Sequence, residues 1–236
     1  MLVVAHQANY LPYAGFFHKL SMADIFVIQD DVQFDERFSN RNKIISSTGW
    51  TWITIPIKHE HKYLPLREVE INNDIKWRRL HWKKITSGYN RTKYFHLYKD
   101  ELEKIYGKEW ISLFEFNFEL IKKIISWLGI KIEIVKESEL NIKETATERL
   151  VKICNLLEAD IYLSGSRGKD YLDEELFRKN GIALKYQNYT SLVYPQHLSK
   201  SFIQDLSILD LLANMGPDSL SIIKGDKKGK NFVNIQ

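Results

Sequence analysis

His6, Gln7, Asn9, Tyr10 and His18 fall within one run, AHQANYLPYAGFFH, directly behind the apolar LVV. These are costly hydrogen-bonding side chains for a loop that only connects two elements. His6 can take or give a proton near neutral pH, and with Asn9 it can orient a carbonyl or a phosphate. The alternative is that His6, Asn9 and Tyr10 satisfy backbone groups in a tight turn before Pro12. Asp30 and Asp31 can accept a proton, hold a ribose or sugar hydroxyl, or bind Mg²⁺, or else cap a strand end. Asn40-Arg41-Asn42 is a dense donor set in which Arg41 suits a carboxylate or phosphate. Ser164-Gly165-Ser166-Arg167-Gly168 is the kind of turn whose backbone N–H groups can approach an anion. It has neither the Walker pattern nor GxGxxG.

Other clusters carry less chemistry. His59-Glu60-His61 sits in a loop with no third ligand at a metal-site spacing, so no metal site is expected. Trp77, His81 and Trp82 among Arg and Lys offer either a stacking platform for a base or sugar, or the core face of a helix. Cys154 lies among apolar helix residues and reads as an inert buried thiol.

The elements that carry these groups alternate. LVVAHQ, DIFVIQD, IKIEIV (130–135), DIYLSG (160–165) and IALKYQ read as strands. Helices fall near GFFHKLSMA, over 109–128 with Gly129 as its stop, over 146–158 behind a Thr145/Glu148 capping box, and at DEELFRKN. This rhythm predicts an α/β fold of three layers, a mostly parallel sheet with helices on both faces. Strands TWITIPI and REVEI and a helix over 74–87 form an aromatic, basic insertion at about 35–108. The chain then divides into one domain over 1–225 and a flexible basic tail over 226–236.

In such a sheet ligands bind beyond the carboxyl ends of the strands. His6-Gln7, Asp30-Asp31 and Ser164-Gly165 all stand at strand ends, so a parallel sheet brings them to one edge. With 236 residues, 44% hydrophobic, there is ample material for a core, and the net charge of +4 permits an anionic ligand. Apolar runs fall short of the ~18–20 residues of a membrane span. The start MLVVAHQ lacks a basic region and is too short in its apolar part for a signal peptide, and one cysteine forms no internal disulfide. The expected location is the cytoplasm.

In order, HQANYLPYAGFFHKLSMADIFVIQDDVQF, Asn40-Arg41-Asn42, ITIPI, Trp77-x3-His81, YLSG and FIQDLSILDLLANMG resemble the WbqC-like family over nearly the whole chain. The family usually has Pro at Ala8 and Trp at Tyr13. The resemblance implies a place in bacterial surface-polysaccharide (O-antigen) synthesis. There an amine of a nucleotide-linked sugar receives an acyl or amino-acid group, such as glycyl, from an activated donor, with aminoacyl-tRNA among the options. Pro12, Gly15 and His18 also resemble the opening of nucleotidyltransferase-like or Rossmann-like folds, although Phe16-Phe17 splits the usual Gly-His pair. That likeness implies ATP with Mg²⁺ as a cofactor and, as alternatives, nucleotidyl transfer or ATP-dependent amide ligation. A non-catalytic module for a nucleotide-sugar or nucleic acid completes the set. Within the transferase reading, His6, Asp30 and Asp31 are the candidate catalytic residues. Gln7, Asn9, Tyr10, His18, Asn40, Arg41, Asn42, Trp77, His81, Ser164 and Gly165 are the candidate substrate-binding residues.

Overall fold

Short runs of branched and aromatic residues, too brief for helices, form the strands of a parallel sheet. The computed structural model describes residues 1–191 and 193–225, and the tail expected over 226–236 lies outside them. Along the chain come β1 (Leu2–Gln7), α1 (Ala14–Leu20) and β2 (Ile25–Gln29), then a hairpin of β3 (Arg41–Ser46) and β4 (Gly49–Thr54). Helices α2 (Trp77–Tyr89), α3 (Lys99–Gly107) and α4 (Leu113–Leu128) follow. The second half holds β5 (Glu133–Lys136), α5 (Ala146–Leu156), β6 (Ile161–Ser164), α6 (Glu174–Lys179) and β7 (Ala183–Tyr186). Helices α7 (Ile208–Met215) and α8 (Ser219–Lys224) come last.

The main sheet has the order β5-β2-β1-β6-β7, and every neighbouring pair is parallel. Because side chains alternate along a strand, each strand supplies both faces. Val4, Phe26 and Ile28 join an apolar cluster with Phe16 and Leu20 of α1 and Leu120, Ile121 and Ile124 of α4. Val3, Ala5, Ile25 and Val27 join another with Val151 and Cys154 of α5 and Phe177 of α6. The protein is therefore an α/β fold with its sheet between two helical layers. The 35–108 segment feeds the first cluster directly through Ile44, Ile53, Leu66, Trp77, Ile85 and Tyr89.

Three local expectations give way. The strand read over 130–135 pairs only from Glu133, because Ile130 leaves the Gly129 stop (φ 68°) for the core instead. REVEI is not a continuous strand. Leu66 and Val69 both turn inward, a spacing that suits the short 3₁₀ turn at Leu66–Glu68 and not an alternating strand. Thr145 does not cap α5, since Ala146 takes a left-handed φ of 49°, and Arg149 Nε instead binds the Glu144 carbonyl at 2.9 Å.

Candidate ligand crevice at the switch point

From β1 the chain builds outward to β2 and β5 through helices on one face. It then returns to the other side of β1 to add β6 and β7 through helices on the opposite face. The order therefore reverses between β1 and β6, and at such a point the two outgoing loops part and leave a crevice. Here the parting begins early. β1 and β6 pair only at Leu2–Ile161 and Val3–Tyr162, whereas β1 stays paired with β2 through Gln7–Gln29. The carboxyl ends of β1, β6 and β7 deliver His6-Gln7, Ser164-Gly165 and, just past β7, Gln187 to this edge.

His6 and His18 stand there in opposite tautomers. His6 Nδ1 lies 3.1 Å from the Gln7 carbonyl, which can only accept, so Nδ1 carries the proton and Nε2 is the acceptor. Its ring meets Phe16 edge-on at 5.0 Å. Burial, with the nearby Lys19 charge, pushes its pKa down to about 3, so the ring is neutral at pH 7. His18 Nδ1 is 2.9 Å from the Gln187 amide nitrogen, which also donates to the Gly15 carbonyl at 2.7 Å. Nδ1 accepts, and the proton sits on Nε2; burial keeps this ring's pKa low as well.

Aromatic rings gather beside His18. Tyr189 lies 5.0 Å from the His18 ring and 6.3 Å from that of Tyr13. The Tyr13 ring lies across Gly15, where a Cβ would come within 2.4 Å of it. Arg167 and Asp205 act on the Tyr13 hydroxyl in opposite senses, beneath a larger effect of burial that raises its pKa.

Lys19 is the group that the sequence reading passed over. It is 4% exposed, its Nζ donates to the Ala5 carbonyl at 3.3 Å, and no carboxylate pairs with it among the described residues. Burial lowers its pKa from 10.5 to about 8. The signal was its spacing: with Phe16 and Leu20 it lies on the inward stripe of α1, where a lysine is out of place.

The polar residues after His6 divide between rim and frame. Gln7 joins its Oε1 to Ser39 Oγ at 3.1 Å and its Nε2 to the Gln33 carbonyl at 3.3 Å. Asn9 is half-buried on the loop beyond β1, its N–H on the Gln7 carbonyl. Asn42 props this loop, donating to the Tyr10 and Leu11 carbonyls at 3.2 and 2.7 Å where Leu11 takes φ 43°. Asn40 is buried and donates to the Ile55 carbonyl, and Arg41 lies over the Trp52 ring at 4.8 Å with its Nε on the Arg37 carbonyl. Ser164 is buried, and Gly165 starts the short 3₁₀ turn at Ser166–Asp170.

Several candidates are engaged by other parts of the fold. The Tyr10 hydroxyl sits between Tyr106 and His81 Nδ1 (3.0 Å), and His81 Nε2 reaches the Thr54 carbonyl at 3.1 Å. Trp77 is 2% exposed against His81 and Phe116. A ring so enclosed has no face to offer a base or a sugar, so the Trp77–His81 face is core. Both Asp30 oxygens are taken by Ser138, from its N–H at 2.9 Å and its hydroxyl at 2.7 Å. Asp31 pairs with Arg67 at 3.1 Å. Asp30 thus ties the end of β2 to the turn after β5, and Asp31 ties it to the Leu66–Glu68 turn. Buried Glu137, ion-paired with Arg149 at 3.3 Å, belongs to the same tie.

Among the described residues no three His, Cys, Asp or Glu side chains are grouped to hold a metal ion, and no helix is long and apolar enough to cross a membrane. Fold and crevice together define a parallel α/β protein of the doubly wound kind, with its polar groups gathered where the strand order reverses. The chain belongs to the WbqC-like protein family, whose model matches residues 7–222. It is similar to the "Uncharacterized protein Rv1507c" of Mycobacterium tuberculosis, at 32% identity over 216 residues, 90% of this chain and 93% of that protein.

Proposed function

We propose that the protein is a cytoplasmic transferase that acylates the amine of a nucleotide-linked sugar during surface-polysaccharide synthesis. The observation that carries this reading is two neutral histidines in opposite tautomers, His6 at the carboxyl end of β1 and His18 against Gln187 just past β7. Amide formation needs an acceptor for the amine proton and donors for the developing oxyanion. His6 Nε2 is the acceptor. His18 Nε2–H and the Ser164-Gly165 turn are the donors. The amine nitrogen attacks the acyl carbonyl, the bond to the leaving group breaks, and the proton passes through His6 to that group. Tyr13 and Tyr189 give the sugar or base an aromatic wall. The substrate class comes from the family resemblance and the residue roles from the crevice.

The test is to incubate the full chain with a nucleotide-linked 4-amino-4,6-dideoxy sugar and each of three donors. These are glycine with Mg²⁺-ATP, an acyl carrier thioester, and glycyl-tRNA. Mass spectrometry should find the acylated sugar with one of them. His6→Gln should fold and lose turnover by about 10²–10⁴-fold. No product with any donor, or full turnover in His6→Gln, overturns the proposal. Pyrophosphate release with no acyl group transferred would assign nucleotidyl transfer instead.

A further inference from the structure

We propose that Lys19 is an anion-binding residue of the crevice and holds a phosphoryl oxygen of the nucleotide-linked substrate. The inference rests on the substrate class proposed above, but its geometry stands alone. A buried cation is costly unless it is paired, and here no carboxylate pairs with it among the described residues. One of its three donors is on the Ala5 carbonyl. A neutral amide or hydroxyl would satisfy that carbonyl without burying a charge, so the carbonyl alone does not account for a lysine.

Position adds the second argument. If the β1–β6 ladder continued in register, Ala5 would face Ser164, but the strands have already separated past Val3–Tyr162. The ammonium therefore sits in the opening of the switch point, at the carbonyl immediately before His6. The ionisable side chain beside it is His6, which stays neutral, so the local charge is positive and uncompensated. Nearer Tyr13, Arg167 and Asp205 bring one charge of each sign and add no net charge. Lysine offers a compact point charge, which suits a phosphoryl oxygen, whereas planar carboxylates favour the bidentate fork of arginine. An anion bound to Lys19 would also offset the lesser of the two effects that hold down the His6 pKa, the Lys19 charge, and leave burial, the larger one, in place.

Calorimetric titration of the full chain with pyrophosphate, uridine diphosphate and acetate tests this, with Lys19→Met as the variant. Wild type should bind the two phosphates and not acetate, and Lys19→Met should bind them at least about tenfold more weakly. The variant should still unfold cooperatively, since replacing a buried charge by an apolar group of similar length is often neutral or stabilising. Equal phosphate affinity in both proteins, no binding to wild type at millimolar concentration, or acetate binding as strong as pyrophosphate, overturns the proposal. Should Lys19→Met fail to fold, reductive methylation of wild type decides. Pyrophosphate must slow modification of Lys19, and an unchanged rate sinks the idea. Because pyrophosphate carries no amine, the two proposals fail separately. Lys19-dependent phosphate binding without sugar acylation removes the acyl-transfer reading alone. Acylation by Lys19→Met with an unchanged KM removes the anion site alone.

Discussion

The side-chain amide of Asn117, in the second turn of α4, donates to two carbonyls at once: Ala8 at 2.7 Å and Ser39 at 2.6 Å. One buried nitrogen thus ties the loop after His6 to the segment that leads into the β3–β4 hairpin. The other amide atom, Oδ1, has no partner among the described residues, so the side chain serves as a donor. Asn117→Ala should lose about 2–4 kcal/mol in urea unfolding, because two buried carbonyls lose their donor and a cavity opens. A loss under about 0.5 kcal/mol would show that the two loops hold without it.

Tyr10 and His81 should behave as a coupled pair in the core. Tyr10→Phe leaves His81 Nδ1 and the Tyr106 hydroxyl without their shared partner, at a cost of about 1–3 kcal/mol. A double-mutant cycle with His81→Leu should give a coupling of about 0.5–3 kcal/mol. Strict additivity would break the chain into independent contacts.

Stability above neutral pH should carry the mark of Lys19. Its pKa falls from 10.5 to about 8 on folding because of burial. Below the folded value both states are protonated and the penalty is fully present. Between the two values the unfolded chain holds a proton that the native protein has released, so stability rises with pH by up to about 1.4 kcal/mol per unit. Buried Tyr10 and Tyr106 act in the opposite sense only above about pH 10. Urea unfolding from about pH 7 to about pH 10 should therefore show wild type gaining on Lys19→Met. Parallel profiles would mean that the amine titrates normally.

Gln187 fixes which nitrogen of His18 carries the proton. Gln187→Leu should lower kcat, shift the pH–rate profile and leave KM almost unchanged, while stability falls by about 1 kcal/mol. A variant that loses stability and keeps its pH profile would make Gln187 a strut with no part in orienting His18.

The sheet was legible because runs such as IFVIQ and IYLS are too short and too β-branched for helices, with Gly129 closing the long helix before β5. Parallel strands alone put the candidate residues at one edge, but the reversal of strand order between β1 and β6 is a property of the folded sheet. What those strand ends do was harder to read. Asp30 looks reactive until Ser138 is seen beside it, and the two are joined only through the β2–β5 pairing. The periodicity of Trp77, His81 and Ile85 shows that α2 has a preferred face. It does not say that α4 and the start of the chain cover it. Lys19 was missed for the converse reason: next to His18 on a short helix it passes for a solvated cation, although its spacing from Phe16 and Leu20 places it inward.

The pairing of β2 with β5, Ile25 opposite Glu133, also dictates an order of events during synthesis. More than a hundred residues must leave the ribosome before β2 gains its outer neighbour, and β1 waits longer still for Ile161. Until then the nascent chain presents a β1–β2 ribbon with both edges open, the arrangement most prone to stray pairing. Closure of the sheet is then a late, long-range step that sets a slow folding rate. The crevice between β1 and β6 comes into being only at that step, so no shorter N-terminal fragment can carry it.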